Sequence, residues 1–225
     1  MCNNKSIATD VVRLDSAMFA PRKPLILGSG SPRREQILDT IGIPLIIVPA
    51  QIDETPYENE SPEAYLHRIV LEKLNDVSSR IVSQNIDIQS FRGVVVADTI
   101  VVYDNQIIGK PTSDTDAHQI LRHLSGRRHQ VLTRFAISAP ENTSTPVHQE
   151  TVQTDVYFRE LTDTEIARYV ATGEGKDKAG AYAIQGAGAF AVARIEGSYN
   201  NAVGLPANEV QKALIRVGII KLHSQ

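Results

Sequence analysis

The chain has 225 residues, of which 42% are hydrophobic and 22% charged, as is usual for a globular protein. Its formal net charge of −3 speaks against nucleic acid as a partner of the whole chain, although local basic clusters can still hold anions. The single cysteine, Cys2, excludes an intrachain disulfide framework and fits a reducing compartment. No CxxC or HExxH pattern is present, which argues against a structural zinc site.

Residues 1–23 are predicted to form a flexible N-terminal extension, and residues 24–225 are predicted to fold as a single domain. The extension does not have the pattern of a secretory signal, since Asp10, Arg13 and Asp15 fall where an apolar core is required. No stretch approaches the ~18 apolar residues of a membrane span. We therefore expect a cytoplasmic protein without a membrane segment.

Strands and helices alternate along the first half of the chain. Short apolar runs predict strands, and Ser61 followed by Pro62 has the N-cap and first-turn character that opens a helix. The predicted elements are strands at 25–27, 45–48 and 94–102, and helices at 32–41 and from residue 62 onward.

The second half of the chain adds a predicted hairpin and further helices. Residues 131–138 and 151–158 have the character of paired strands, joined by the polar, proline-bearing segment 139–146. Thr162 and Glu165 have the spacing of a capping box, which opens a helix to about residue 171. The remaining predictions are a helix capped by Asp114, strand character over 183–195, and a last helix over 206–217.

This order of elements predicts the fold class. Alternating strands and helices followed by a hairpin indicate an α/β fold, in which a mixed twisted sheet has flanking helices. We expect one compact unit with two lobes around a cleft.

The segment Leu25–Arg34 carries the strongest local signal. An apolar strand enters a Gly-Ser-Gly turn, Ser31 is placed as an N-cap and Pro32 takes the first helical position. Arg33 and Arg34 then fall in the first helical turn, where free backbone N–H groups already create positive potential. A phosphate held by the helix N-terminus and both guanidinium groups explains two cations there. The alternative is a capped surface helix with two solvated arginines.

Asp98 lies inside the nearly continuous apolar strand at 94–102. A carboxylate there is costly unless it is paired, hydrogen-bonded or metal-bound. It is therefore either a structural Asp held by backbone N–H groups or a metal ligand or general base at a cleft edge. In a regular strand Asp98 and Thr99 point to opposite faces, so we expect a bulge or a strand end if both serve one site.

Other charged residues have weaker signals. Lys73 lies on the predicted second helix and Lys110 follows a short apolar run, and each taken alone is typical of a solvated lysine. Asp53 and Glu54 follow the second strand, where a loop either brings them to a metal or forms an ordinary acidic surface. The run 127–129 has the composition of a solvated turn, with contact to phosphate as the alternative.

The segment Asp177–Gly188 is rich in glycine and contains Gln185. Its glycines permit close backbone approach to a ligand, and the Gln185 amide offers both a donor and an acceptor that can read a base edge. The alternative is a tight glycine-rich strand packed in a core.

Together these segments resemble the Maf family of nucleoside triphosphate pyrophosphatases. They occur in the family's order across about residues 25–206, and the extension lies outside the resemblance. The matching stretches are Gly28-Ser-Gly-Ser-Pro-Arg-Arg34, Ala97-Asp-Thr-Ile-Val101, Gly109-Lys-Pro111, Leu124-Ser-Gly126, Asp177-Lys-Ala-Gly-Ala-Tyr-Ala-Ile-Gln-Gly186 and Gly197-Ser-Tyr-Asn-Asn-Ala-Val-Gly-Leu-Pro206.

The resemblance implies an α/β fold with a cleft between two lobes, a homodimer, and hydrolysis of a nucleoside triphosphate to the monophosphate and pyrophosphate with a divalent metal. Asp98 matches the family's catalytic acidic residue. The family's substrate-selecting positions correspond to Arg33, Thr99 and Gln185. Other cleft positions of the family correspond to Ser31, Arg34, Glu54, Lys73 and Lys110.

The form of residues 177–186 resembles the branch that acts on dTTP and UTP, and differs from the branch that acts on 7-methyl-GTP. Uracil and thymine present carbonyl acceptors and one N3–H donor, which the Gln185 amide complements. Arg134 stands where the family usually has Gly or Ala, and is expected to alter the cleft wall.

On this resemblance, Mg²⁺ or Mn²⁺ held by Asp98 and Glu54 bridges the triphosphate, and Asp98 orients or deprotonates the attacking water. The leaving pyrophosphate is stabilised by Arg33, Arg34, Lys73 and Lys110. Two other functions stay open at this point. One is a non-catalytic nucleotide- or nucleic-acid-binding regulator of septum formation, and the other is a pyrophosphatase for modified or purine nucleotides.

Overall fold

A computed structural model describes residues 23–221 of the chain. The extension predicted for residues 1–23 therefore lies, except for Lys23, outside the described residues. No helix within 23–221 has both the length and the apolar character needed to cross a bilayer.

Within residues 23–221, one mixed sheet of seven strands is the centre of the fold. Strands β1 and β2 are parallel, β1 and β3 are parallel, and the other pairs are antiparallel. The strand order is β2-β1-β3-β5-β6-β7, with β4 pairing β3, which confirms the predicted mixed α/β fold. The strands are β1 (Leu25–Leu27), β2 (Leu45–Ile47), β3 (Val94–Tyr103), β4 (Gln106–Ile108), β5 (Arg128–Ala139), β6 (Asn142–Phe158) and β7 (Val192–Glu196).

Helices flank this sheet and begin where the capping residues stand. The α-helices are α1 (Pro32–Thr40), α2 (Pro62–Ser83), α3 (Asp114–Leu124), α4 (Asp163–Ala171), α5 (Tyr199–Val203) and α6 (Ala207–Arg216). The Ser61 hydroxyl accepts a hydrogen bond from the first turn of α2, and the capping box of Thr162 and Glu165 is formed in full. Asp114 is not the cap of α3, because the preceding Ser113 takes that position and accepts from Asp116 N at 3.1 Å.

Three other local predictions are wrong. Strands β5 and β6 continue through most of the predicted connection at 139–146, and Pro146 sits in β6 beside a register shift, where a missing N–H is tolerated. The strand predicted over 183–195 shrinks to β7, because a 3-10 turn occupies 187–191. His129 belongs to β5 and is 1% exposed, so the run 127–129 is not a solvated turn.

The sheet separates two hydrophobic cores, and β3 contributes to both. Val94 and Val96 pack with Val77 of α2 on one face. Val95 and Ala97 face the other core, which α1, α3 and α6 cover. Because strand side chains alternate, Asp98 belongs to the face of α2 and Thr99 to the opposite face.

The edge of β3 that pairs β1 and β4 is open in its middle. β1 pairs with β3 at Val94 and Val95, β4 pairs with it from Val101, and the stretch between has no strand partner on that edge within residues 23–221. The other edge of β3 pairs with β5 in unbroken register through Asp98 and Thr99. The expected bulge is therefore wrong, since side chains from both faces reach one opening across this gap.

Candidate active site

A cleft of about 1250 Å³ opens at the gap in the sheet. It contains every residue that the sequence predicted for catalysis, substrate binding or metal binding. Those lining residues are Ser31, Arg33, Arg34, Glu54, Lys73, Asp98, Thr99, Lys110 and Gln185. The structure thus brings the predicted set together, while the role of each residue stays a prediction.

The Lys73 ammonium is the centre of the charged cluster on the α2 side. Its Nζ lies 2.6 Å from Asp98 Oδ1 and 2.7 Å from Glu54 Oε1. Lys110 Nζ lies 3.6 Å from the other oxygen of Glu54. Lys73 and Asp98 are buried while Glu54 and Lys110 are exposed to the cleft, so the cluster runs from the sheet interior to solvent.

Glu54 remains ionised in this setting. Desolvation favours its neutral form, but the attraction and hydrogen bond of Lys73, aided by Lys110 and Arg34, outweigh that effect and lower the pKa of Glu54. Within the described residues the Asp98 carboxylate is paired with the Lys73 side chain and not with backbone N–H groups, while its catalytic or metal-binding role stays a prediction. Lys73, which taken alone has the sequence pattern of a solvated lysine, is buried in the structure.

The start of α1 forms the opposite wall. Ser31 occupies the N-cap position and Pro32 follows it, as predicted, but the Ser31 hydroxyl makes no capping hydrogen bond. Arg33 lines the cleft, and within the described residues its guanidinium has no hydrogen bond or ion pair. It is therefore the cation of this turn that is available to an anion.

Arg34 has a different setting from the one predicted. It is buried, and its guanidinium donates to Gly204 O at 2.9 Å, Ser29 Oγ at 3.0 Å and Thr99 Oγ1 at 3.1 Å. Burial lowers the pKa of Arg34, and the attraction of Asp98 opposes that shift. Arg34 thus joins three segments of the cleft wall, and its binding of phosphate stays a prediction.

Thr99 is held on the far face by the loop that follows α5. Its hydroxyl lies 2.9 Å from the hydroxyl of Thr133 and 3.2 Å from Gly204 O. Gly204 has φ of 131°, a conformation that disfavours side chains, so the glycine of this motif is required by its backbone. The motif at 197–206 therefore places a carbonyl that both Arg34 and Thr99 use.

Gln185 enters the cleft from a loop between α4 and β7. Within residues 23–221 its amide forms no hydrogen bond, which leaves it free to meet a ligand. Gly186 and Gly188 do approach another group closely, as expected, but that group is the protein itself. A Cβ would lie 2.1 Å from Glu174 Oε1 at Gly186 and 2.3 Å from Ala183 O at Gly188.

Several residues that shape the cleft had no distinct sequence signal. Tyr65 donates to Glu54 O at 2.9 Å, and Glu174 accepts from Ala187 N at 2.9 Å and Gly188 N at 2.8 Å. These contacts join positions that are far apart in the chain, so no local pattern marks them. For Glu174 the flanking glycines at 173 and 175 were the one available hint.

Arg134 does not line the cleft, which contradicts the expected change to its wall. It stands opposite Asp98 on β5, but its guanidinium turns toward β6. There it donates to Thr151 Oγ1 at 2.8 Å and Gln149 Oε1 at 2.6 Å.

Two carboxylates, Glu54 and Asp98, converge on the Lys73 ammonium from different elements. Residues 23–221 contain no group of three or more His, Cys, Asp or Glu side chains placed to hold a metal ion. Two carboxylate oxygens suit a hard cation such as Mg²⁺, which keeps several waters and takes further oxygens from substrate phosphates. The donor set is thus compatible with a cation that arrives with a nucleotide.

Comparison with known proteins identifies the family of this chain. A family profile described as Maf-like protein matches residues 24–217. The dTTP/UTP pyrophosphatase of Geotalea uraniireducens (strain Rf4) is 43% identical over 204 residues, covering 91% of this chain and 100% of the relative. The dTTP/UTP pyrophosphatase of Desulfotalea psychrophila (strain LSv54 / DSM 12343) is 43% identical over 205 residues, with the same coverage of both chains.

Among solved structures, a nucleoside-triphosphatase / dITP/XTP pyrophosphatase from Mycobacterium abscessus matches 86% of this chain and 94% of that chain at 12% identity. Its TM-score of 0.40 is too low to carry a conclusion. The family profile, in contrast, spans nearly all of the described residues, and the curated relatives match over their whole length. The chain therefore belongs to the Maf family.

Proposed function

We propose that this protein hydrolyses nucleoside triphosphates, chiefly dTTP and UTP, to the monophosphate and pyrophosphate. The observation that carries the proposal is the buried Asp98–Lys73 pair at the floor of a cleft whose opposite wall presents Arg33. A poised carboxylate faced by cations is what attack of water on a phosphoanhydride requires. The two bacterial relatives at 43% identity are dTTP/UTP pyrophosphatases, which supports both the reaction and the two substrates.

A divalent cation, Mg²⁺ or Mn²⁺, is part of this proposal. Glu54 and Asp98 would hold it, because their carboxylates already converge on one positive charge. When bound, such an ion neutralises phosphate charge and lowers the pKa of a coordinated water.

Asp98 acts as the general base or orienting group for the water that attacks the α-phosphorus. Its Oδ1 takes the hydrogen bond of Lys73, and within residues 23–221 no hydrogen bond reaches Oδ2, which is left to face a water. The attack forms a bond from the water oxygen to the α-phosphorus and breaks the bond from that phosphorus to the oxygen bridging to the β-phosphorus. The water proton passes to the carboxylate, and the electron pair of the broken bond leaves with pyrophosphate.

The cations stabilise the charge that grows on the leaving group. Arg33 and the helix N-terminus behind Ser31 lie on one wall, and Lys110 is exposed on the other. Lys73 and Arg34 keep the buried carboxylate and the cleft wall in place. Gln185 and Thr99 face the remaining part of the cleft and select the base.

The wider setting of the reaction is also proposed. The residues assigned to the cleft come from α1, α2, β3 and the loops beside them and line one cleft, which supports residues 24–225 as a single catalytic domain. The lone Cys2 supports a reducing cytoplasm as the compartment. A homodimer follows from the family resemblance, and light scattering of the purified protein would give its mass.

The decisive experiment measures pyrophosphate release from dTTP, UTP, CTP, GTP, ATP, ITP and 7-methyl-GTP, with Mg²⁺ or Mn²⁺ and with chelator. We expect release from dTTP and UTP that stops with chelator. Asp98→Asn should lower kcat about 10²- to 10⁴-fold, as for loss of a general base. Asp87→Asn, at an exposed position that does not line the cleft, is the matched control.

The other outcomes separate the alternatives. Preference for GTP, ITP or 7-methyl-GTP would keep the reaction and overturn the substrate. No release from any nucleotide would favour the regulator of septum formation. Binding of that regulator to nucleic acid would weaken steeply with salt.

A further inference from the structure

Two side chains, Tyr169 and Glu174, accept hydrogen bonds from the backbone of the loop on both sides of Gln185. Tyr169 Oη accepts from Ala183 N at 3.2 Å, two residues before Gln185. The Glu174 carboxylate accepts from Ala187 N at 2.9 Å and Gly188 N at 2.8 Å, two and three residues after it.

Tyr169 and Glu174 are also hydrogen-bonded to each other. Tyr169 Oη donates to Glu174 Oε2 at 2.9 Å, and Tyr169 is a buried residue of α4. The backbone on either side of Gln185 is therefore held by a side chain of α4 and by one from the turn that follows it. Gly186 adds to this arrangement, since a Cβ there would lie 2.1 Å from Glu174 Oε1.

Charge favours the same arrangement. Desolvation opposes ionisation of Glu174, but the N–H groups of Gly188 and Ala187 and the Tyr169 hydroxyl outweigh it and lower the pKa of Glu174. The carboxylate is thus ionised at neutral pH and accepts all three hydrogen bonds, which are the stronger kind because the acceptor is charged.

We propose that Tyr169 and Glu174 are positioning residues that set base selectivity by holding Gln185 in its reading position. This rests on the proposed function, because Gln185 reads the base only if a pyrimidine nucleotide occupies the cleft. Neither residue needs to touch the nucleotide. A base-reading amide displaced by about 1 Å loses the directional hydrogen bonds that reject the wrong base.

The test compares kcat and KM for UTP and CTP in the wild type, Tyr169→Phe and Glu174→Gln, each with its bound cation. Tyr157→Phe and Glu141→Gln are the controls, since neither residue lines the cleft and Tyr157→Phe likewise removes a hydroxyl hydrogen bond to a glutamate. We expect the ratio of kcat/KM for UTP over CTP to fall about tenfold in both loop variants, mainly through KM for UTP. The controls should keep the wild-type ratio.

A purely structural role would lower activity on both nucleotides and leave the ratio unchanged, and that result would overturn the proposal. If Glu174→Gln does not fold, Tyr169→Phe decides alone, since it keeps the buried ring. If the wild type releases no pyrophosphate, the proposed function fails by itself. The proposal about the loop is then judged by the same ratio taken from dissociation constants of UTP and CTP.

Discussion

At the scale of single residues, Lys73 sets the electrostatics of the cleft. Its side chain is 8% exposed and lies within hydrogen-bond distance of both Asp98 and Glu54. A buried ion pair adds little net stability, but removing one partner leaves an uncompensated charge. Removing the Lys73 ammonium is therefore expected to destabilise the fold, because it leaves the Asp98 carboxylate buried without a counter-charge.

Replacing Lys73 by methionine should show this dependence. Lys73→Met keeps the apolar stem and removes the charge, so Asp98 is left buried without its partner. We expect kcat for UTP to fall about 10²- to 10³-fold and the free energy of unfolding to fall by about 3 kcal/mol. Steady-state kinetics and denaturant unfolding measure the two effects. Lys212→Met on the exposed face of α6 is the control, and a kcat within threefold of wild type would contradict the expectation.

At the scale of elements, α2 fixes the irregular segment that carries Glu54. Arg68 of α2 donates to both carboxylate oxygens of Glu60, at 2.7 and 2.6 Å, and to Thr55 O at 3.2 Å. Tyr65 of the same helix donates to Glu54 O. Because Lys73 is also on α2, one helix orders both the acidic segment and its counter-charge.

Arg68→Ala should therefore act on Glu54 from a distance. We expect kcat/KM for UTP to fall about tenfold, together with faster proteolytic cleavage near residues 53–60. Arg68→Lys should recover little of this, because an ammonium cannot form the forked contact with Glu60. Arg168→Ala, exposed on α4, is the control. Unchanged proteolysis in Arg68→Ala would show that the segment holds itself in place.

At the scale of the whole molecule, a buried histidine, His129, connects the protein interior to the cleft through Tyr182. His129 is 1% exposed, its Nε2 lies 2.8 Å from Tyr182 Oη, and Tyr182 lines the cleft. Burial lowers the pKa of His129 to about 4, so the imidazole is neutral in the folded protein. The unfolded chain, with an ordinary histidine, takes up a proton at higher pH.

This difference predicts an acid-sensitive fold. The stability linked to neutral His129 is complete above pH 6.5 and is lost as the pH falls toward 4, because the unfolded state binds the proton first. The loss from this group is roughly 3 kcal/mol. Unfolding by denaturant at pH 7 and pH 4.5 should show a smaller difference in His129→Gln than in the wild type. His67→Gln is the exposed control, and equal differences in all three proteins would refute the assignment.

Much of the cleft was predictable from local patterns. Ser31 and Pro32 mark the start of α1 because capping and proline geometry are local, and Asp98 is conspicuous because a carboxylate breaks an apolar strand. The family resemblance then supplied Lys73, Lys110 and the other cleft residues that have weak signals of their own.

Two other features could not be predicted from their neighbouring residues. His129 follows two arginines and has the neighbours of a solvated turn, yet the length of β5 carries it into the core. The segment at 139–146 is polar and contains a proline, but pairing with β5 extends β6 through it. Tertiary pairing outweighed local propensity in both cases.

The order of residues along the chain determined the α/β class, the capped helix starts and the set of chemical groups in the cleft. The first two depend on backbone conformation and side-chain type within a few residues, and the third follows from the family motifs in the sequence. The tertiary structure alone decided that Lys73 is buried between two carboxylates, that Arg34 is engaged by the protein, and that a gap in the edge of β3 lets both sheet faces reach one site. These are contacts between distant segments, and they exist only because the folded sheet brings those segments to within a few ångströms.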